Sequence, residues 1–374
     1  MYRFWEIRLA ARLAASRFSN NTEPVKLILE TTRLCNSHCK SCDMWRQPPG
    51  PELHPDDLLR AISTVARNVS WVALTGGEVT LYPHLRYLVG GLVSRCHNLL
   101  LVNIPLNGIN PDRTADLIEQ LLVENKRIML HTTLSIDGIG QDQDELRGCG
   151  QWRQTIDTWG RLQTLRKRYK NLRVSAQMTV SSLNIAKSSQ VIGRFAGESD
   201  TFIVAFGMDN RFYRVRDISA SPGRPGGFDT RQLVTIGTKP AETSRLELQG
   251  SDAEVVREIV RRYKIAGLGG FLERLFLLGM LRRLRGGSAG VPCVAGDQVV
   301  FISAKGEVRP CPFFEESIGN LQDSNYDLHV LLRTAGAMDV RAAARTCEKC
   351  WNNCVGLPSM IASPIKALRL LSER

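Results

Sequence analysis

What the chain lacks narrows its class before any motif is read. No apolar run approaches the ~18 residues that a membrane-spanning helix needs; the longest runs from Leu275 to Leu281. There is no internal repeat and no low-complexity tract. With 43% hydrophobic and 23% charged residues over 374 positions, a disordered or fibrous chain is excluded, and the size suits one large domain or two unequal ones. Ten cysteines are few for a disulfide scaffold of this length, so their clustering carries the information. The first 21 residues bear Arg3, Arg8, Arg12 and Arg17, but Arg8 and Arg12 interrupt any apolar stretch. A secretory signal is thereby excluded; cytoplasmic residence is the expectation, and an Arg-rich transit peptide the alternative. The net charge of +12 asks for an anionic partner, whether phosphate, nucleic acid or membrane surface. No nucleic-acid-binding module and no aromatic-interleaved basic strand face is present, so nucleic acid is not an expected partner.

Short apolar runs alternate with helical patterns, the signature of strand–helix units around a parallel sheet. Strands are expected at Val25–Glu30, Trp71–Thr75, Leu99–Ile104, Ile128–Ser135, Leu172–Val180 and Thr201–Phe206. Helices are expected near Pro55–Asn68, Pro83–Cys96, Asp112–Glu124, Gln151–Tyr169 and Ile185–Phe195. Such a series falls short of a closed eight-stranded barrel, so the fold class is α/β, a partial TIM-like (β/α)6 barrel. A loop rich in Gly, Pro and Ser at 219–228 breaks the pattern, and a basic helical stretch follows from Ser251 to Arg285. Beyond it, Gln298–Ile302 and Glu307–Arg309 flank Ala304–Lys305–Gly306 as a β-hairpin. The expected organisation is a basic N-terminal helix at 1–24, a partial barrel at 25–215, a linker with basic helix at 216–290 and a small hairpin-and-helix domain at 291–374.

Directly after the first strand stand Cys35, Cys39 and Cys42, three potential thiolates within eight residues. That many soft ligands on one loop suit a metal centre. Structural zinc would want a fourth ligand, which only His38 offers nearby. Three ligands to a four-iron cluster leave one iron open for chemistry. The Cys-x3-Cys-x2-Cys spacing after the first strand of a partial barrel resembles the radical S-adenosylmethionine (SAM) superfamily. The resemblance implies a [4Fe-4S] cluster whose open iron is chelated by SAM. It implies reductive cleavage of SAM to a 5′-deoxyadenosyl radical that abstracts a substrate hydrogen. One departure is Ser41, where the family usually has an aromatic residue against the adenine; Met44 or Trp45 would have to cover it.

Further matches follow in order. Gly76–Gly77–Glu78 after the second strand resembles the family's Gly-Gly-Glu motif, where glycines let backbone approach the SAM methionine and the carboxylate receives its ammonium. Val79 replaces the usual following proline, and Gly-Gly after a strand is also an ordinary turn. Ser135, at the end of the fourth strand, matches the ribose-contacting position. Arg147, in Asp144–Glu145–Leu146–Arg147–Gly148, would pair with the SAM carboxylate, or else be a solvated loop arginine. Asn184 is a further candidate polar contact. The matches span about residues 25–206.

Cys293, Cys311, Cys347, Cys350 and Cys354 form a second cluster. Cys293, Gly306 and Cys311 resemble the opening of the auxiliary-cluster domains (SPASM, or the shorter twitch form) appended to many radical SAM enzymes. Five cysteines are too few for two fully ligated four-iron clusters. One auxiliary [4Fe-4S] cluster is therefore expected, on Cys293, Cys311, Cys347 and Cys350, with a zinc ribbon as the alternative. Cys354 is left over, though spacing alone leaves it open as a ligand. A spare thiol near a radical can return a hydrogen atom, so Cys354 and Cys149 are candidate donors. For Cys149 a buried, inert thiol is the expected reading.

Three basic segments with large apolar residues, Tyr2–Phe18, Arg257–Arg285 and Ile365–Arg374, read as docking helices, with peripheral membrane contact as the alternative. The resemblance implies a flavodoxin or ferredoxin as reductant. For the substrate a small or lipid-linked metabolite, oxidised or epimerised, comes first. A ribosomal peptide is the alternative, and a non-catalytic metal-bound scaffold the contrasting class.

Overall fold

The computed structural model describes residues 2–16, 23–46, 50–207, 248–263 and 267–373. The expected loop at 219–228 lies outside the described residues, as do 216–247 and 264–266 of the expected linker segment. Six parallel strands form the frame: β1 (Lys26–Thr32), β2 (Trp71–Gly76), β3 (Leu101–Leu106), β4 (Met129–Ser135), β5 (Leu172–Val180) and β6 (Ile203–Phe206). Their spatial order is their chain order, and the sheet does not close. This is the partial TIM barrel. Three further strands, β7 (Val299–Ile302), β8 (Glu307–Arg309) and β9 (Gly319–Asn320), extend the same sheet beyond β1. β7 runs parallel to β1, with Leu27 opposite Val300, and β8 returns antiparallel. The expected hairpin is therefore not set apart from the barrel; it continues the barrel's sheet. Gly306 takes φ +82°, the left-handed conformation its turn requires.

Helices cover the convex face. They are α2 (Pro55–Ser63), α3 (Leu85–Arg95), α4 (Pro111–Glu124), α5 (Gln141–Arg147), α6 (Gln151–Arg168) and α7 (Ser188–Phe195), with α1 (Tyr2–Ser16) at the N-terminus. After β6 come α8 (Ala253–Arg262), α9 (Gly267–Leu284), α10 (Leu328–Leu331), α11 (Ala335–Arg345), α12 (Asn353–Ala362) and α13 (Pro364–Leu368). The strands alternate with period two. Leu27, Leu29, Val72, Leu74, Val102, Leu130 and Val174 enter the main core under the helices. The other set, including Lys26, Ile28, Trp71, Asn103, His131 and Arg173, faces the concave side.

Boundaries differ from expectation by a few residues for local reasons. α2 ends at Ser63, where the Thr64 hydroxyl bonds the Ala61 carbonyl and turns the chain early. β3 runs on through Pro105, which costs no ladder bond towards β2 because that pairing stops at Asn103.

The amino end of the barrel is plugged. Leu9 and Leu13 of α1 are buried with Val25, Trp71, Leu101 and Met129, and Trp5 packs beside them. Glu6 bridges Arg173 of β5 at 2.6 Å, and the Arg173 guanidinium lies 4.9 Å from the Trp5 ring centroid. The open edge at β6 is covered by α8 and α9. The Glu273 carboxylate accepts the Val204 N–H at 2.8 Å, and the Tyr263 hydroxyl donates to the Phe202 carbonyl at 2.5 Å. The apolar residues of the basic stretch on α9, Leu275, Phe276, Leu278 and Leu281, are likewise buried in the core. Among the described residues no single helix is long and apolar enough to cross a membrane.

Candidate active site and auxiliary centre

The loop after β1 carries Cys35, Cys39 and Cys42 at the carboxyl ends of the strands, and hydrogen bonds shape it. His38 N–H donates to the Arg147 carbonyl at 3.1 Å and Lys40 N–H to the Leu146 carbonyl at 2.9 Å, so the last turn of α5 holds the loop. The Ser37 hydroxyl reaches the Arg147 carbonyl at 3.0 Å and Gln151 Oε1 at 2.9 Å, and lies 3.2 Å from the Cys39 sulfur. Burial pushes the Cys35 thiol up to about 11 and the Cys42 thiol up to about 12, with Cys39 adding to both shifts. The three thiols thus share one desolvated patch, where a cationic centre would favour the thiolate. Among the described residues no three His, Cys, Asp or Glu side chains converge to hold a metal ion. Three thiolates are the ligand set of a four-iron cluster that leaves one iron open, whereas structural zinc takes four ligands.

Gly76 and Gly77 are required by the chain itself. A Cβ on Gly76, which has φ +127°, would stand 2.2 Å from the Thr32 carbonyl oxygen, and one on Gly77 2.0 Å from that of Leu34. Gly77 N–H and Glu78 N–H bond those same carbonyls at 2.8 and 2.7 Å, stitching the end of β2 to the thiol loop. The glycines' missing side chains therefore make room for the thiol loop's backbone. Glu78 is 3% exposed and its carboxylate is engaged on both oxygens. Oε1 accepts from Thr80 N–H and hydroxyl (3.2 and 2.7 Å), Oε2 from Asn107 N–H (2.8 Å). Burial raises its pKa above the usual carboxylate range, against those hydrogen bonds. In place of an open carboxylate, Glu78 is a buried framework acceptor.

Arg147 is not a solvated loop arginine. Its side chain is 13% exposed and its Nε donates to Asp137 Oδ2 at 2.7 Å. Burial alone would lower its pKa; Asp137 and the charges of Cys39 and Cys35 outweigh that and raise it. Asp137 also accepts Thr179 N–H at 2.7 Å, tying β4 to β5. Asn184 Nδ2 donates to the Asp137 and Thr179 carbonyls, both at 3.0 Å, and its Oδ1 accepts from Ser181 N–H, so this side chain too is framework. Ser135 stands half-buried on the concave side at the end of β4. Cys149 is exposed, not buried as expected, because it sits between Gly148 and Gly150, both at positive φ, in the turn joining α5 to α6. Trp45, proposed to replace the missing aromatic at Ser41, packs its ring against His38 and Arg46 instead (4.8 and 4.6 Å); Met44 is buried. Asp137, Asn107 and Gln151 were missed as framework residues. Only for Asp137 was there a signal, its place at the carboxyl end of β4 ten residues before Arg147.

Cys293, Cys311, Cys347 and Cys350 line one cavity of about 290 Å³. Burial pushes the Cys350 thiol up to about 12, with Cys293 and Cys347 contributing, and raises Cys311 further, with Cys350 and Cys293 contributing. Four mutually interacting thiols around a void fit a cluster. Cys354 does not line that cavity; it packs with Cys293 and Cys311 against one apolar cluster and lies beside Lys26. The Lys26 ammonium donates to the Cys354 carbonyl at 2.7 Å, and burial brings the amine down to about 8.

Between the thiol loop and the α1 plug, the concave face is polar. Asn103 Oδ1 accepts the Trp71 indole N–H at 2.5 Å, and its Nδ2 lies 3.0 Å from His131 Nδ1. His131 Nε2 is 2.8 Å from the Ser175 hydroxyl. Burial, helped by Arg173, brings His131 down to about 3 and keeps the imidazole neutral.

Residues 29–180 match the model of the radical SAM superfamily. This stretch, which holds the thiol loop, Gly76–Gly77–Glu78 and Arg147, is a radical SAM domain. No curated protein sequence matches the chain. Among solved structures it is similar to anSMEcpe with bound AdoMet, at 16% identity and TM-score 0.57, covering 93% of this chain and 98% of that one. It is also similar to anSMEcpe with bound AdoMet and Cp18Cys peptide, at 14% identity and TM-score 0.56, covering 93% and 99%. A third is SuiB of Streptococcus suis bound to precursor peptide SuiA, at 16% identity and TM-score 0.54, covering 94% and 74%. At these identities the likeness is one of fold.

Proposed function

We propose that the chain removes hydrogen from a polar substrate, a peptide side chain in the first place, using a cluster on Cys35, Cys39 and Cys42 and a second on Cys293, Cys311, Cys347 and Cys350. Bound there, a four-iron cluster with SAM would supply a 5′-deoxyadenosyl radical. The protein's part is to seat and shield it. Gly76–Gly77 and the α5 turn fix the thiol loop, Arg147 sets a buried positive charge beside it, and Ser135 offers a hydroxyl at the rim. The α1 plug and the helices over β6 keep water from the sides.

The observation that carries the reading is the polar concave face under the thiol loop. Asn103 and a neutral His131, bonded to each other and to Trp71 and Ser175, make that face polar, which suits a hydrogen-bonding ligand better than an apolar prenyl chain. The fold-level likeness along nearly the whole chain to structures holding peptides supports a peptide over an amino sugar, which the same lining would also suit. The test is anaerobic reconstitution followed by incubation with SAM, a reductant and candidate peptides. Release of 5′-deoxyadenosine together with loss of two hydrogens from a peptide, seen by mass spectrometry, is expected. SAM cleavage that responds to amino sugars and never to peptides would transfer the reading to a small metabolite. No cleavage at all would end it.

A further inference from the structure

The end of the chain carries more apolar surface than its packing uses. α12 is buried through Val355, Met360 and Ala362. A bend of 109° then turns the helical residues Pro364–Glu373 away from it and across the surface. On the inner side of this segment Ala367 and Leu370 join the main core, with Leu371 packed against it. One such stripe is all that a surface helix needs. α13 has a second apolar pair on its outer side, Ile365 and Leu368, at 73% and 48% exposure. Spaced three residues apart, they lie together on one side of the helix. Ile365 is the most exposed large apolar side chain among the described residues. Of the three basic segments, α9 buries Leu275, Phe276, Leu278 and Leu281, and α1 buries Leu9 and Leu13. Among their described side chains, α13 alone keeps two large apolar groups side by side in solvent.

Positive charge surrounds that pair. Lys366 and Arg369, also three residues apart, are exposed on the same helical segment. The segment's own carboxylate, Glu373, is taken up elsewhere, 3.5 Å from Arg282 at the end of α9 and 3.6 Å from Arg285 just beyond it. Arg283 and Glu348 stand near Lys366 around one cavity. Arg282, Arg283, Arg285, Lys366 and Arg369 thus gather around only Glu348 and Glu373, and this corner is net positive.

We propose that α13 seats the protein on an anionic lipid bilayer, with Ile365 and Leu368 entering the acyl boundary and Lys366 and Arg369 meeting lipid phosphates. Two apolar tips are too few for the apolar core of a protein interface, which buries about 800 Å² per partner. A bilayer asks only that the tips dip below the headgroups, while the Lys and Arg stems lie along apolar surface and their charged ends reach the phosphates. The chain's net charge of +12 draws it towards such a surface. The inference does not depend on which substrate the barrel takes.

The test is flotation of the full-length reconstituted chain with vesicles of phosphatidylcholine and phosphatidylserine, and with vesicles of phosphatidylcholine alone. The parent is expected to float with the mixed vesicles at low salt, to lose binding as salt rises, and to leave the neutral vesicles unbound. Ile365→Ser/Leu368→Ser and, separately, Arg369→Glu are each expected to weaken binding about tenfold. Lys366 is left unchanged because it lines the four-thiol cavity. Circular dichroism and iron content on the same samples show that the variants keep the parent's fold. Full binding by both variants overturns the proposal. So does a loss confined to Ile7→Ser, which would put the contact on α1. A parent that ignores both vesicles but binds poly-glutamate overturns it as well, and assigns the corner to an acidic protein.

Discussion

At the scale of single residues, buried charge does most of the shaping. Asp137 joins Arg147, Thr179 and Asn184 at the carboxyl ends of β4 and β5. Replacing Arg147 with Met strands that carboxylate, so Arg147→Met is expected to destabilise the protein by about 3–5 kcal/mol in urea unfolding. Adding Asp137→Asn should recover part of the loss; no recovery would mean that the two side chains act independently. Glu273 sets a pH dependence. Burial pushes its carboxyl up to about 8, against the hydrogen bonds from Val204 and Asn353, while Tyr263 is the titratable group facing it. The folded state therefore holds a proton that the unfolded chain releases near 4.5. Its stabilisation is full below that value and is lost as pH rises through about 8. Thermal melts are expected to fall between pH 5 and 8, and Glu273→Gln should flatten that slope. An unchanged slope would assign the pH dependence elsewhere.

At the scale of elements, α1 matters more than its place outside the barrel suggests. Leu13 is fully buried against the amino ends of the strands. Leu13→Ala is expected to cost about 2–5 kcal/mol and to change the fluorescence of Trp71 beneath it. A variant within 0.5 kcal/mol of the parent would show that α1 lies on the barrel without sealing it. The β7–β8 hairpin has a comparable role on the other side. By pairing with β1 it places the second cysteine set against the strand that leads into the first.

At the scale of the molecule, two thiol sets sit on one continuous sheet, so their loading is separable. After anaerobic reconstitution the parent is expected to hold roughly eight irons per chain. The Cys35→Ala/Cys39→Ala/Cys42→Ala variant should hold about four, with 5′-deoxyadenosine released only by the parent. Equal iron in both would show that the first loop does not hold a cluster.

The sequence by itself determined the strand–helix alternation, the partial barrel and both groups of cysteines. These are written in short-range patterns: a period of two, a period of 3.6 and fixed spacings along a loop. It also marked the motif positions after β1, β2 and β4. Only the tertiary structure decided what those positions do for the fold. Gly76 and Gly77 are glycines because the backbone at Thr32 and Leu34 comes too close for a Cβ, and those residues are more than forty positions away. Arg147 left its expected solvated loop for a buried pair because β4 brings Asp137 beneath it. Cys149 became exposed because the turn between α5 and α6 points outward. Cys354 is off the lining of the four-thiol cavity because α12 carries it to Lys26 of β1. Burial and charge pairing depend on which distant segments meet, and no local spacing encodes that.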